Sequence, residues 1–209
     1  MPLITDWLRR QWLRTPVCGC VLIGGKSRRM GRPKHLIKKD GRTWLARTVE
    51  LLRSVTERVV IAGAGTLPGD VGNAERLPDV ADAEGPMAGI LAAMRWAPHV
   101  SWLVAACDLP FLSADALRWL LAERAPGVWA TLPRLPGREG VEPLLAHYDW
   151  RARPLLEELC ETRHFRPNSL AANPKVRTPS PPLALIGAWN NINTQADLEM
   201  QREPRVVKK

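Results

Sequence analysis

The sequence lacks any long apolar run, and this absence limits the classes of protein to which the chain can belong. No stretch approaches the roughly 18 apolar residues that a membrane-spanning helix needs. Charged residues interrupt the apolar stretch at the N-terminus, so residues 2–16 lack the hydrophobic region of a secretory signal. We therefore expect a cytoplasmic protein without a membrane span. A content of 45% hydrophobic residues in 209 is sufficient for one globular domain.

Cysteine is also scarce, and its spacing argues against a disulfide framework or a zinc site. The chain has 4 cysteines, and in the cytoplasm we expect them to be reduced. Cys18 and Cys20 resemble half of a metal site, but no second Cys or His pair follows at a usable spacing. Alternate positions of a strand share one face, so the spacing predicts two buried thiols. The 4 histidines show no ligand spacing either, and none is assigned to catalysis.

Positive charge is abundant but unevenly distributed. The net charge is +9, and residues 26–39 contain seven Lys or Arg residues and no acid. Residues 1–14 and 202–209 add +2 and +3, and the remainder of the chain sums to −3. A nucleic-acid binder spreads its positive charge over a face, whereas one basic segment beside glycines fits a compact polyphosphate. The chain is therefore predicted not to bind nucleic acid. A basic nucleic-acid-binding domain stays an alternative, which the salt dependence of DNA binding would test.

Short apolar runs alternate with segments of helical periodicity. Strands are predicted at 18–23, 58–62 and 102–107, and helices at 44–54, 86–97 and 113–124. This alternation predicts an α/β fold with three α/β/α layers around a mostly parallel sheet. Weaker patterns indicate strands at 128–131 and 142–148 and helices at 150–162 and 194–202, and residues 163–188 give no prediction. The domain is expected to span 17–202, between an N-terminal extension (1–16) and a C-terminal basic tail (203–209).

Ligands of such sheets bind beyond the carboxyl ends of the strands, so the residues that follow each strand are candidate site residues. They are 24–27, Gly63 and Asp108. Gly24 and Gly25 allow backbone N–H groups to approach a phosphate closely. A P-loop is excluded, because its first glycine would stand at position 20, which is Cys20. The alternative for this basic segment is a solvated turn.

Asp108 ends an apolar strand and precedes Leu109-Pro110. A carboxylate at this position suits Mg²⁺, which takes one or two carboxylates together with phosphate oxygens. The alternative is that Asp108 caps the next helix, but Ser113 is better placed for that role.

Two further motifs are weaker when taken alone. Pro86 opens a helix between Gly85 and Gly89, which leave room for a nucleotide or for close packing. Asp79 and Asp82 are loop acids or nucleotide contacts. Near the end of the chain, Thr194 is a predicted helix cap preceded by amides that are either turn residues or acceptor contacts: Asn190, Asn191 and Asn193.

In this order, the basic glycine segment, GPMAG, CDLP and NINT resemble the molybdenum cofactor guanylyltransferase family, a branch of the nucleotidyltransferases with a Rossmann-like fold. The similarity runs from about residue 18 to residue 200. It implies an Mg²⁺-dependent enzyme that transfers GMP from GTP to the terminal phosphate of molybdopterin and releases pyrophosphate. It also implies molybdoenzyme-maturation proteins as partners.

The resemblance assigns roles to individual residues. Lys34 and Asp108 would be catalytic, with Lys34 on the phosphates and Asp108 on Mg²⁺. The remaining nucleotide contacts would be Leu22, Ile23, Gly24, Gly25 and Asp79. The chain departs from the family pattern at Ile23 (the family often has Ala) and at 61–63, where an asparagine can contact the nucleotide. The spacing from Asp79 to Gly85 is also one residue shorter. A cytidylyltransferase, a sugar-phosphate nucleotidyltransferase and a non-enzymatic cofactor-delivery protein stay open as alternatives.

Overall fold

The computed structural model describes residues 15–24 and 33–192, which form a central sheet with helices on both faces. Nine strands are present in this part of the chain: β1 (Val17–Leu22), β2 (Lys38–Lys39), β3 (Arg42–Thr43), β4 (Arg58–Ala62), β5 (Glu75–Leu77), β6 (Ser101–Ala106), β7 (Ala130–Thr131), β8 (Leu145–Tyr148) and β9 (Val176–Arg177). The strands β2 and β3 form a separate small hairpin.

The main sheet has the strand order β5-β4-β1-β6-β8-β7-β9. Its first four strands are parallel, and β1 lies at their centre, with Val21 paired to Ile61 of β4 and to Ala105 of β6. β8 runs antiparallel to both β6 and β7, and β9 is parallel to β7. All six residues of β1 and of β6 are buried, as expected for strands covered on both faces.

Four α-helices cover the sheet in the described residues: α1 (Trp44–Arg53), α2 (Pro86–Trp96), α3 (Ala114–Ala122) and α4 (Arg153–Glu161). The side chains of Thr43 and Ser113 cap α1 and α3 by accepting a backbone N–H from Ala46 and Ala116. Pro86 stands at the first position of α2, where its missing N–H costs no hydrogen bond.

Two apolar clusters pack on opposite faces of the sheet. One joins α2 and α4 to the face that bears Cys18 and Cys20, and the other joins α1 and α3 to the face that bears Val21. The three-layer α/β/α arrangement is therefore confirmed, and both thiols are buried as predicted. None of the described helices is long and apolar enough to cross a membrane.

The differences from the predicted elements lie in the second half of the chain. The strand expected at 142–148 begins only at Leu145, and the helix expected from 150 begins with a 3-10 turn before α4. Residues 163–188, which gave no prediction, contain the edge strand β9 and two 3-10 segments, Pro167–Ala172 and Leu183–Trp189. The predicted helix at 194–202, the C-terminal tail, residues 1–14 of the N-terminal extension and residues 25–32 of the basic segment lie outside the described residues.

Candidate active site

β1, β4 and β6 end at the same edge of the sheet, and a cleft of about 830 Å³ opens there. Its lining joins these strand ends to the start of α2, as the strand-end rule predicts. The lining residues are Leu22, Ile23, Gly24, Lys34, Ala62, Ala64, Asp79, Gly85, Pro86, Gly89, Ala106, Cys107, Asp108 and Leu144. Every predicted nucleotide contact that the structure describes is in this set. Gly25 lies outside the described residues.

Lys34 and Asp108, which are far apart in sequence, meet in the cleft. Lys34 Nζ donates a hydrogen bond to Asp108 Oδ2 at 2.8 Å, and the two side chains are 16% and 21% exposed. A charged hydrogen bond in such a partly buried place is stronger than a surface ion pair. The carboxylate of Asp108 is thus directed at Lys34, while Ser113 caps the next helix.

Close backbone packing shapes the wall opposite Asp108. Gly63 has a φ of +120°, and a Cβ built there would lie 2.0 Å from the carbonyl oxygen of Ile23. In α2, a Cβ on Gly89 would lie 2.8 Å from Leu22 Cδ2 and 3.5 Å from Asp79 Oδ1. The two glycines therefore let the loop after β4 and the first turns of α2 approach the end of β1.

Two ionisable groups of the cleft have pKa values shifted by burial. Desolvation raises the pKa of Asp79 above its usual value. Desolvation also raises the pKa of the Cys107 thiol to about 12, with a further contribution from the charge of Asp108. Cys107 therefore stays protonated near neutral pH, and it is neither a thiolate nucleophile nor a soft metal ligand.

The oxygen donors of the cleft suit a hard cation that arrives with a phosphate ligand. Among the described residues, no group of three or more His, Cys, Asp or Glu side chains is arranged to hold a metal alone. Asp108 offers one carboxylate in the lining of the cleft, and Mg²⁺ commonly takes one or two carboxylates and completes its shell with phosphate oxygens and water. The residues present thus fit Mg²⁺ bound together with a nucleotide.

Beyond Asp108, the connections 132–144 and 178–192 run side by side. Arg134 N donates to Pro179 O at 3.1 Å, and Arg138 Nη2 donates to Asn190 Oδ1 at 2.7 Å. Ile192 N donates to the carbonyl oxygen of Asp108 at 3.2 Å, which ties the second connection to the site. Two of the predicted acceptor contacts therefore lie near the cleft but outside its lining: Asn190 and the exposed Asn191. Asn193 lies outside the described residues.

The sequence interpretation left Asp82 open as a loop acid or a nucleotide contact, and the structure favours the loop acid. Both of its carboxylate oxygens accept hydrogen bonds of 2.8 Å from the guanidinium of Arg95 in α2. The strand-end rule also missed Leu144, because this residue precedes the antiparallel strand β8 and thus reaches the cleft from a strand's amino end.

Comparisons with known proteins agree with this geometry. Residues 19–173 match the family described as the MobA-like NTP transferase domain. The molybdenum cofactor guanylyltransferase of Desulfosudis oleivorans is 30% identical over 190 residues, which cover 88% of this chain and 93% of that protein.

A second relative is longer than this chain. The molybdenum cofactor biosynthesis bifunctional protein of Synechocystis sp. is 37% identical over 123 residues, and the match covers 56% of this chain but only 35% of that protein.

Among solved structures, molybdopterin-guanine dinucleotide biosynthesis protein A from Archaeoglobus fulgidus superposes with a TM-score of 0.67 at 26% identity. The superposition covers 88% of this chain and 95% of that one. The family match, the relatives and the cleft at the strand ends agree, and the chain belongs to the MobA-like NTP transferase domain family as a nucleotidyltransferase of the MobA type.

Proposed function

We propose that this protein transfers GMP from GTP to the terminal phosphate of molybdopterin and releases pyrophosphate. The observation that supports this reaction most directly is the Lys34–Asp108 pair, 2.8 Å apart in the lining of the strand-end cleft. A cation for the triphosphate and a carboxylate for its metal ion then lie side by side. The names of relatives such as the Desulfosudis oleivorans protein support guanylyl transfer to the molybdenum cofactor.

The two walls of the cleft suggest how the nucleotide lies. The base and ribose would occupy the part between Gly24, Ala64 and Asp79, where backbone groups are close and the glycine carries no side chain. The triphosphate would extend towards Lys34 and Asp108. Glycine backbone can lie against a purine edge and offer both N–H and C=O partners, which favours guanine.

Asp108 would hold Mg²⁺, with phosphate oxygens of the nucleotide as the further ligands. When bound, the ion neutralises charge on the phosphates and favours departure of pyrophosphate. Lys34 would add a second positive charge on the same side. Lys34 Nζ and Asp108 Oδ2 are in hydrogen-bonding contact without a substrate, which brings the two charges together in the cleft.

The transfer needs little proton chemistry from the protein. An oxygen of the acceptor's terminal phosphate attacks the α-phosphorus of GTP, the new P–O bond forms, and the bond to the β-phosphate breaks. The attacking oxygen is already anionic, so no strong general base is required. Alignment of the two substrates and stabilisation of charge then supply the rate acceleration.

The acceptor would enter from the side formed by the connections 132–144 and 178–192. At that side, the guanidinium of Arg138 donates a hydrogen bond to Asn190. Two residues further on, Ile192 donates its backbone N–H to the carbonyl oxygen of Asp108. An acceptor that enters from this side would have to reach the α-phosphorus opposite the leaving pyrophosphate, as an in-line displacement requires.

A nucleotide panel tests the proposal. The protein is incubated with Mg²⁺, molybdopterin and GTP, CTP, ATP or UTP in turn, and pyrophosphate release is measured. We expect release with GTP only when the acceptor is present. Faster turnover with CTP would identify a cytidylyltransferase, and turnover only with a sugar phosphate would replace the acceptor. Binding of the cofactor without release from any nucleotide would indicate a delivery protein.

Asp108→Asn tests the metal site within the same assay. The amide keeps the size of the carboxylate but removes its charge, so we expect turnover to be nearly abolished while the fold is retained. Asp115→Asn is the matched control, because Asp115 is 76% exposed on α3 and pairs only with Arg118 among the described residues. Wild-type turnover in Asp108→Asn would remove Asp108 from the mechanism.

A further inference from the structure

His35 follows Lys34 directly and is buried, with 4% of its surface exposed. The two residues belong to a single 3-10 turn, Lys34–Leu36, with backbone hydrogen bonds from Leu36 N to Pro33 O and from Ile37 N to Lys34 O, both 3.1 Å. One turn of this kind has little stability of its own. Contacts of its side chains must therefore hold it in place.

The imidazole of His35 reaches across to the loop after β4. Its Nε2 atom lies 3.0 Å from the carbonyl oxygen of Thr66. A carbonyl oxygen only accepts hydrogen bonds, so Nε2 carries the hydrogen and donates it. The bond joins residues 31 positions apart in the chain.

Gly65 makes room for this ring. Its φ is +140°, and a Cβ at that position would lie 2.8 Å from Cε1 and 3.1 Å from Nε2 of His35. The loop backbone is thus in direct contact with the imidazole. A side chain at Gly65 would displace either the ring or the loop.

The same loop borders the nucleotide cleft through Ala64. At its start, Gly63 N donates to Leu77 O at 3.1 Å, so the loop is attached to β5 as well as to β4. His35 therefore connects the turn that carries Lys34 to the wall on which the nucleotide would lie.

We propose that His35 is a positioning residue, which fixes Lys34 relative to the triphosphate through the Nε2–H bond to Thr66 and the contact with Gly65. This inference rests on the proposed function of the cleft as a triphosphate site. His35 touches no substrate in this role; it acts through Lys34. No pattern in the sequence indicates this role, since no ligand spacing surrounds the histidine.

The test combines two substitutions of His35 with Lys34→Ala. His35→Leu fills the space without a donor, and His35→Gln keeps an N–H donor close to the position of Nε2. We expect His35→Leu to reduce kcat/KM for the nucleotide roughly three- to tenfold, in line with the loss of one hydrogen bond. His35→Gln should restore most of this loss. In the Lys34→Ala background, His35→Leu should cause no further loss.

Hydrogen exchange of the Leu36 and Ile37 amides gives a second readout, which does not depend on knowing the substrate. We expect faster exchange at these amides in His35→Leu and near-normal exchange in His35→Gln. A multiplicative loss in the double variant, or unchanged exchange in His35→Leu, would overturn the positioning role. If the wild-type protein turns over no nucleotide, the proposed reaction fails, whereas the exchange measurement still decides whether His35 holds the turn.

Discussion

At the scale of single residues, Lys34 and Asp108 neutralise each other in the free protein, with 2.8 Å between Nζ and Oδ2. A triphosphate that binds Lys34 must compete with this carboxylate. Under the proposed function, Asp108 would bind a cation instead, and Lys34 would then be available for phosphate. The two side chains are therefore expected to depend on each other during substrate binding.

Replacing Lys34 should be costly, whereas replacing a neighbouring cation should not. A hydrogen bond to a charged group contributes about 1.5–3 kcal/mol, so Lys34→Ala should reduce kcat/KM for GTP by roughly tenfold or more. Lys38→Ala is the matched control, because Lys38 lies in the same basic segment but is exposed on β2. Steady-state kinetics of both variants at one ionic strength measure the difference. Equal and small losses would mean that the segment attracts anions diffusely.

His147 makes the stability of the fold sensitive to acid. Burial, with a smaller contribution from Arg124, lowers the pKa of His147 from 6.5 to about 3. As the pH falls below 6.5, His147 binds a proton in the unfolded chain but stays neutral in the folded protein. Stability is thus retained above this pH and lost towards pH 3, by at most about 1.4 kcal/mol per pH unit.

His147→Leu should therefore flatten the decrease in unfolding free energy between pH 6.5 and about 4.5, as measured by urea titration. His164→Leu is the control, since His164 is exposed and its removal should leave the wild-type slope. Parallel curves for wild type and His147→Leu would contradict this account.

At the scale of secondary structure, the elements that are encoded locally are those that the sequence predicts. β1, β4 and β6 coincide with the predicted apolar runs except at their ends, where β1 begins at Val17 and β6 at the buried polar Ser101, and Ser113 is the predicted cap. β7 lies within the strand predicted at 128–131, whereas β9 has only two residues and exists because it pairs with the distant β7. No local pattern of two residues can show such pairing, which explains why residues 163–188 gave no prediction.

The site follows the same division. Gly24, Lys34, Asp79 and Asp108 could be identified because each belongs to a motif at a strand end or a helix start. Leu144 could not, because the direction of β8 is a property of the whole sheet. The burial of His35 could not be predicted either, since it depends on the backbone of Gly65 across the chain.

The loop after β4 should tolerate no side chain at its first residue. Gly63→Ala would place a methyl group 2.0 Å from Ile23 O, and backbone cannot move aside as a flexible side chain can. Gly137→Ala is the matched control, because Gly137 also has a positive φ (+71°) but no atom within 4 Å of the added Cβ.

Gly137→Ala should lower the free energy of unfolding only by the cost of a left-handed conformation, roughly 1–2 kcal/mol. Gly63→Ala adds overpacking and should lower the free energy of unfolding by roughly 3–5 kcal/mol. It should also weaken nucleotide binding. Urea denaturation and nucleotide titration measure the two effects. Similar stabilities of both variants would show that the loop can shift without harm.

At the scale of the whole molecule, the net charge of +9 is concentrated in residues 26–39 and at the two ends of the chain. This distribution favours a compact polyanion such as a nucleoside triphosphate as the ligand. A ligand that binds only the folded protein stabilises it by about 2.7 kcal/mol at a concentration of 100 times Kd. For a chain of 209 residues this corresponds to an increase in Tm of roughly 5–10 °C. We expect this increase with GTP and Mg²⁺ and a smaller one with CTP at the same concentration.

Thermal melts with each nucleotide, with and without Mg²⁺, measure this preference without the acceptor. An equal or larger shift with CTP would contradict the guanine assignment while leaving the nucleotidyltransferase class intact. Duplex DNA at physiological salt should produce no shift.

The reversed direction of β8 has a consequence for how proteins of this architecture can diversify. Since β7 and β8 run in opposite directions, the connection 132–144 leaves the sheet and returns to it at the edge where the cleft lies. Such a surface connection can be lengthened, shortened or exchanged while β1, β4 and β6 keep their register. A related protein could thus evolve specificity for a new acceptor by changes in this one segment. The proposed nucleotide site at the ends of β1, β4 and β6 would stay unchanged.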